Sequence, residues 1–117
     1  MTGLDTPLFV KTHDFILWLL KHSMRFPKAL RHTFTNRLEQ AAFDFQQATL
    51  MANAVRGEAR MKRLDQADGH LSCLRSLLRF TTDLQLLGAA QVKYASDRMD
   101  ELGRLLGAWK KGTDRQR

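Results

Sequence analysis

Cysteine, proline and β-branched residues are scarce in this chain of 117 residues. Cys73 is the only cysteine, so no internal disulfide forms and a reducing compartment is expected. The shortage of proline and of β-branched residues favours helix over strand, because both kinds of residue lower helix propensity. The most apolar stretch, residues 15–20, is too short to cross a bilayer, and the N-terminus does not resemble a secretory leader. These absences predict a cytoplasmic, helical protein.

Negative charge is absent from a long stretch near the start of the chain. No acidic residue occurs between Asp14 and Glu39, whereas basic residues and histidines are frequent there. They are Lys21, His22, Arg25, Lys28, Arg31, His32 and Arg37. The whole chain has a formal net charge of +7 and a pI of about 10.2. This excess predicts attraction to nucleic acid, and we do not expect a membrane as partner.

Apolar residues recur every three or four positions in four successive segments. One series is Phe34, Leu38, Ala41, Phe45, Ala48, Ala52 and Val55. Pro27 and Gly57 bound this segment, because proline opens a helix and glycine interrupts one. The predicted helices span about 7–24, 28–56, 58–87 and 90–110, and residues 112–117 are expected to fray. Short connections between such helices predict one domain, 1–117, of the all-α class, folded as an antiparallel up-down-up-down four-helix bundle.

Residue types that carry catalysis are present but are not arranged for it. The four histidines are scattered, and none has an acidic residue at metal-ligand spacing. Ser72, Cys73 and Ser76 lie on one predicted helix without a base and an orienting acid. No glycine-rich phosphate loop occurs. The sequence therefore predicts a protein that is not an enzyme, with no catalytic residue, no metal and no cofactor.

Basic residues are the strongest candidates for a functional surface, because too few acidic residues accompany them for all to be ion-paired. The candidates for contacting nucleic acid or a protein partner are Arg25, Lys28, Arg31, Arg37, Arg60, Arg63, Arg75, Arg79 and Arg104. Three apolar residues fall outside the main helical stripes: Trp18, Phe43 and Leu50. They predict a contact with another subunit.

Three segments together carry a pattern known from a protein family. They are Phe26-Pro27-Lys28 with Arg31, Thr33, Asn36 and Arg37; Leu74–Arg79 with Asp83-Leu84; and Glu101–Trp109 with glycines at 103 and 107. In these residues the chain resembles the accessory variability determinant (Avd) proteins of diversity-generating retroelements. A broader set of similar four-helix bundles is encoded within intervening sequences of ribosomal RNA genes. The glycines four positions apart suggest close helix packing.

The resemblance implies a non-enzymatic partner of a reverse transcriptase. Avd proteins assemble as barrel-shaped pentamers whose positive surface engages template RNA and the polymerase, and they support mutagenic retrohoming. We therefore expect a homopentamer that binds reverse transcriptase, template RNA and the DNA copied from it. Two alternatives stay open: a ribosomal-RNA-associated bundle without a retroelement role, and an adaptor that binds only protein. RNA affinity that depends strongly on salt would argue against the second of these.

Overall fold

The structure, a computed structural model, describes residues 6–116 and consists of four α-helices. They are α1 (Thr6–Ser23), α2 (Asn36–Asn53), α3 (Gly57–Asp83) and α4 (Ala89–Gln116). A short 3-10 turn (Lys28–Leu30) and a π-helical turn (Arg31–Thr35) precede α2. The described residues contain no β-strand. The predicted all-α class and four-helix architecture are confirmed.

Contacts between the helices show how they are arranged. Each helix packs against the next, and α4 packs back against α1. Ser23 at the end of α1 contacts Glu39 near the start of α2, and Lys110 near the end of α4 contacts Asp65 near the start of α3. Only residues 54–56 separate α2 from α3. These contacts are those of antiparallel neighbours in a rod that measures 47 × 26 × 20 Å.

One cluster of buried apolar side chains fills the rod, and its members occupy the predicted stripes. In α2 they are Leu38, Ala41, Phe45, Ala48 and Ala52; in α4 they are Ala95, Met99, Leu102 and Leu106. Phe15 and Phe45 are the largest side chains that are almost fully buried. Thr12, Thr49 and Thr81 are satisfied within one turn, as when the Thr12 hydroxyl donates to the Leu8 carbonyl at 2.7 Å. The buried Thr35 hydroxyl, in contrast, has no hydrogen-bond partner among the described residues. The core is thus apolar, and most of its buried hydroxyls are paired.

The start of the second helix differs from the prediction of one continuous helix over 28–56. Pro27 takes an extended conformation, and the chain then makes the 3-10 turn and the π turn before regular α-helix begins at Asn36. A π turn is wider than an α turn, and here the adjacent residues Phe34 and Thr35 are both buried. Tertiary packing of two neighbouring side chains therefore overrides the regular helix that propensity favours.

The ends of the third and fourth helices also differ from the predicted bounds. Helix α3 ends at Asp83, because Gln85 is left-handed (φ 56°) and the amides of Gln85 and Leu86 bond back to the carbonyls of Thr82 and Thr81. Helix α4 continues to Gln116 through the segment expected to fray. Thr113 is buried there, which holds the last turns against the bundle. Residue 117 lies outside the described residues.

Candidate nucleic-acid interface

The nine basic candidates fall into two sets when their contacts are compared. Five are exposed and have no carboxylate within ion-pairing distance among residues 6–116: Arg25, Lys28, Arg37, Arg79 and Arg104. The other four bond to protein groups: Arg31, Arg60, Arg63 and Arg75. The first set is free to bind an external anion, whereas the second set already has partners.

The end of the rod at which α1 is connected to α2 is termed the Pro27 end. Its geometry follows from Phe26-Pro27, because a residue before proline leaves the helical conformation and α1 stops. The Phe26 side chain is buried, while Arg25 and Lys28 on either side are exposed. The phenylalanine ring therefore anchors the connection, and two unpaired cations beside it face solvent. Lys21 in the last turn of α1 is exposed as well.

Arg31 at the Pro27 end has an acidic partner that the linear sequence conceals. Its guanidinium lies 3.6 Å from a carboxylate oxygen of Glu39 and donates to the Asn36 side chain at 3.3 Å. The other carboxylate oxygen of Glu39 accepts a 2.6 Å hydrogen bond from the Ser23 hydroxyl. The expectation that the run from Lys21 to Arg37 has no acid nearby therefore does not hold for Arg31. Glu39 instead ties α1, the connection and α2 together.

The opposite end, where α2 turns into α3, is termed the Gly57 end. Gly57 has a φ of +60°, a left-handed conformation that glycine adopts at little cost. Arg60 donates through Nε to the carbonyls of Ala52 and Val55, at 3.0 and 2.9 Å, and lies 5.6 Å from the centre of the Trp109 ring. Arg60 thus caps α2, since the last carbonyls of a helix have no partner within it.

The stretch 56–63 at the Gly57 end contains two cations that were not among the nine candidates. Arg56 and Lys62 are exposed and have no carboxylate partner among the described residues. Arg63 is half-buried and contacts only Gln66, at 3.2 Å. The sequence contained the signal, since all three belong to the basic stretch 56–63, but it did not show which side chains of that stretch cap the helix and which stay free.

Arg75 joins α3 to α4 and is held by two groups. Its guanidinium donates to the Met99 carbonyl at 2.9 Å and to the Asp100 carboxylate at 2.9 Å. A Cβ atom on Gly103 would lie 2.9 Å from the same guanidinium, so the missing side chain leaves room for the arginine. A Cβ on Gly107 would meet nothing within 4 Å. Gly103 therefore packs closely against Arg75 and Leu71 of α3, as expected, whereas Gly107 makes no close contact among the described residues.

Replacing Arg75 and Arg79 separately is expected to distinguish a structural arginine from a free one. Arg75→Gln removes two charge-assisted hydrogen bonds, so we expect the free energy of unfolding to fall by about 1–2 kcal/mol. Arg79→Gln removes no such bond and is expected to change it by less than about 0.5 kcal/mol. Urea unfolding at a fixed protein concentration measures both. Equal losses in the two variants would contradict the assignment.

Charge is balanced in the middle of the rod. Four basic residues lie there, Lys11, Arg75, Arg98 and Arg104, with at least as many acidic residues, among them Asp14, Asp44, Asp68, Asp100 and Glu101. Lys11 and Arg98 both pair with Glu101, at 3.2 and 3.3 Å. Most positive charge in this region is thus neutralised by contact, and surface pairs of this kind contribute little to stability.

Lys110 is also paired, although it lies close to the Gly57 end. It contacts Asp65 and Asp68, at 3.1 and 3.2 Å. The hydrogen bond to Asp65 raises the pKa of Lys110 above its ordinary value. The ion pair that raises this pKa stabilises the fold fully at any pH below the ordinary pKa of lysine. The stabilisation is lost only as the pH rises through the raised pKa of the folded protein. This contact is therefore constant across the physiological range.

Apolar side chains are exposed mainly along the outer faces of α1 and α2. Phe43 and Leu50, two of the three predicted interface residues, have 40% and 49% of their surface exposed. The third, Trp18, is half-buried against the rings of His22 and Tyr94, with centroid distances of 4.3 and 4.7 Å. Other exposed apolar side chains follow α1 at intervals of seven: Val10, Leu17 and Met24. The outward stripe of α1 was not recognised, because that helix is apolar on nearly every side.

The described residues offer no arrangement for metal chemistry. Among them, no three side chains of histidine, cysteine, aspartate or glutamate lie close enough to hold a metal ion. Cys73 is exposed and unbonded. None of the helices in residues 6–116 combines the length and the apolar character that crossing a bilayer requires.

Comparison with known proteins identifies a family. The model of a family described as bAvd-like matches residues 8–113, which includes nearly all of the four helices. No curated protein matches the chain.

Proposed function

The chain belongs to the bAvd-like family, and on that premise we propose that it is an accessory protein of a diversity-generating retroelement. In this proposal it is not an enzyme itself. It binds the reverse transcriptase and the template RNA, with the DNA copied from it, and so supports mutagenic retrohoming. The observation that supports RNA binding is the set of exposed cations that have no carboxylate partner among the described residues, most of which lie near the ends of the bundle.

The contacts to RNA are made with phosphates rather than bases. Arg25, Lys28 and Arg37 are exposed and belong to an acid-free stretch of sequence. Arginine and lysine bind phosphate by charge, and such contacts position a protein on nucleic acid without reading its sequence. The ring of Trp109 is already covered by Arg60, at 5.6 Å from its centre, and is not free for a base. We therefore expect binding that is directed at the backbone and indifferent to sequence.

Self-association uses the exposed apolar residues of α1 and α2. Ser23 contacts Glu39, so the antiparallel register places Leu20 of α1 at about the level of Phe43 of α2. Leu17 of α1 and Leu50 of α2 lie further from the Pro27 end and are exposed as well. Several exposed apolar side chains on neighbouring helices of a charged protein are typical of a subunit interface. We propose that this face joins the copies of a homopentamer.

Salt dependence of RNA affinity tests the proposal. Four exposed and unpaired cations at the Pro27 end, Lys21, Arg25, Lys28 and Arg37, correspond to about four phosphate contacts. For single-stranded RNA this predicts a slope of log affinity against log salt of about −2.8, which is a loss of about 50-fold between 50 and 200 mM salt. Fluorescence anisotropy with a short RNA of mixed sequence measures it.

The same protein is then tested for co-purification with the reverse transcriptase encoded beside its gene. RNA affinity that hardly changes over this range of salt would contradict phosphate binding. Absence of a neighbouring reverse transcriptase gene would contradict the retroelement role.

A further inference from the structure

Positive charge is concentrated at the two ends of the rod. The stretch 21–37 has five basic residues and no acidic residue, and it surrounds the Pro27 end. The stretch 56–63 has four basic residues and one acidic residue, and it forms the Gly57 end. The contacts of antiparallel neighbours place these stretches at opposite ends of a bundle 47 Å long. The two basic stretches, 21–37 and 56–63, are thus far apart in space.

The middle of the rod separates the two ends electrostatically. Its four basic residues are matched by at least as many acidic ones, and three of the cations are in ion pairs. At physiological ionic strength the Debye length is about 8 Å, so a charge at one end has little influence at the other. A strand that lay along α1, α2 or α4 would meet Asp14, Asp44 or Asp100, each of which repels phosphate. Each end therefore attracts a polyanion independently.

We propose that each chain has two separate nucleic-acid sites, one at each end, and that a single rod thereby holds two segments of nucleic acid apart from each other. This inference rests on the proposed function, because it assumes that the basic residues bind phosphate. Arg25 and Lys28 are the principal contacts at the Pro27 end. Arg56 and Lys62 are their counterparts at the Gly57 end.

Nucleic acid suits the Gly57 end better than a protein partner does. Protein interfaces usually have an apolar centre that loses its contact with water. Leu50 and Met51 are exposed in the last turn of α2, but none of the large exposed hydrophobic side chains of the described residues lies between positions 54 and 66, where Arg56 and Lys62 lie. The exposed groups of this stretch include Arg56 and Lys62, and Lys111 of α4 is exposed near the same end. A surface that offers cations without an apolar centre favours a hydrated phosphodiester backbone.

Stoichiometry of binding tests the two-site arrangement. A hexanucleotide RNA is too short to cover both ends and is titrated into the full-length protein at 0.1 M salt, at a few times its dissociation constant. Wild-type protein is expected to bind two RNA molecules per chain. Arg25→Gln/Lys28→Gln and Arg56→Gln/Lys62→Gln are each expected to bind one with unchanged affinity, because the ends act independently. The end that has lost two phosphate contacts is expected to bind about 25-fold more weakly and to stay mostly empty at this concentration.

A control variant removes the same number of charges from cations that already have partners. Lys11→Gln/Lys93→Gln is matched to each end variant, since Lys11 pairs with Glu101 and Lys93 pairs with Asp97 at 3.1 Å. It is expected to keep two RNA molecules per chain. Counting RNA per chain is unaffected by the number of copies in an assembly, so self-association does not change the outcome.

The possible outcomes separate this inference from the proposed function. One RNA per chain in the wild type would overturn the two-site arrangement and leave RNA binding intact. A Gly57-end variant that still binds two RNA molecules but no longer co-purifies with reverse transcriptase would assign that end to protein and overturn the inference. No RNA binding by the wild type would contradict the proposed function itself.

Discussion

Neutralising both basic ends together is expected to lower RNA affinity about 25-fold at 0.1 M salt. The variant Arg25→Gln/Lys28→Gln/Arg56→Gln/Lys62→Gln removes two phosphate contacts from each end. For single-stranded RNA each contact contributes about 0.7 to the slope of log affinity against log salt. Relative to 1 M salt, where this electrostatic contribution vanishes, the two contacts at each end therefore account for about 1.4 decades of affinity at 0.1 M salt. Fluorescence anisotropy with a hexanucleotide RNA measures the loss, and the slope is expected to become shallower by about 1.4.

The matched control carries the same loss of four charges at cations that have acidic partners. It changes Lys11, Arg75, Lys93 and Lys110 to glutamine. Its RNA affinity is expected to fall by less than about threefold, because only the screened long-range attraction changes. If the control variant bound RNA as weakly as the variant with both ends neutralised, total charge and not the exposed ends would determine binding.

Phe45→Ala is expected to lower the free energy of unfolding by about 3–5 kcal/mol, the usual cost of truncating a buried phenylalanine. Phe45 is 1% exposed and lies in the middle of α2, where the core has no space to collapse around a cavity. Domains of this size are stable by about 5–15 kcal/mol, so the variant retains only part of its stability. Urea unfolding followed by far-UV circular dichroism, at one protein concentration, gives the value.

Phe80→Ala is the matched control for this core substitution. Phe80 is 52% exposed and its main ring contact is with Phe34, at 6.1 Å. The same chemical change is expected to cost about 1 kcal/mol or less there. Similar costs for Phe45 and Phe80 would mean that the core does not lie along the α2 stripe.

Helix content and core positions were predictable because they depend on local patterns. The α2 stripe from Phe34 to Ala52 is buried as its spacing predicts, since residues three and four apart share one helix face. The residues at which the helices begin and end were less predictable. The π turn at Arg31–Thr35 and the burial of Thr113 in the last turn of α4 arise from contacts with other helices, which propensity does not contain.

The sequence predicted which basic residues could form the candidate site. It did not predict which of their side chains have acidic or carbonyl partners. A basic run in the sequence gives no information about residues that approach it from other turns or other helices. Glu39 forms an ion pair with Arg31. Arg60 donates a hydrogen bond to a carbonyl at the end of α2, and Arg75 donates one to the Met99 carbonyl. Arg56 and Lys62, in contrast, have no ion-pair partner, because no acidic group of the described residues packs close enough to them.

The order of the amino acids by itself determined that this chain is helical, strongly basic and without the motifs of catalysis, because helix periodicity, net charge and motif spacing are properties of the linear chain. The tertiary structure alone decided which cations have partners among the described residues, and it placed the basic stretches 21–37 and 56–63 at opposite ends of the rod. Those properties depend on distances between residues that are remote in sequence, and only the packing of antiparallel helices sets such distances.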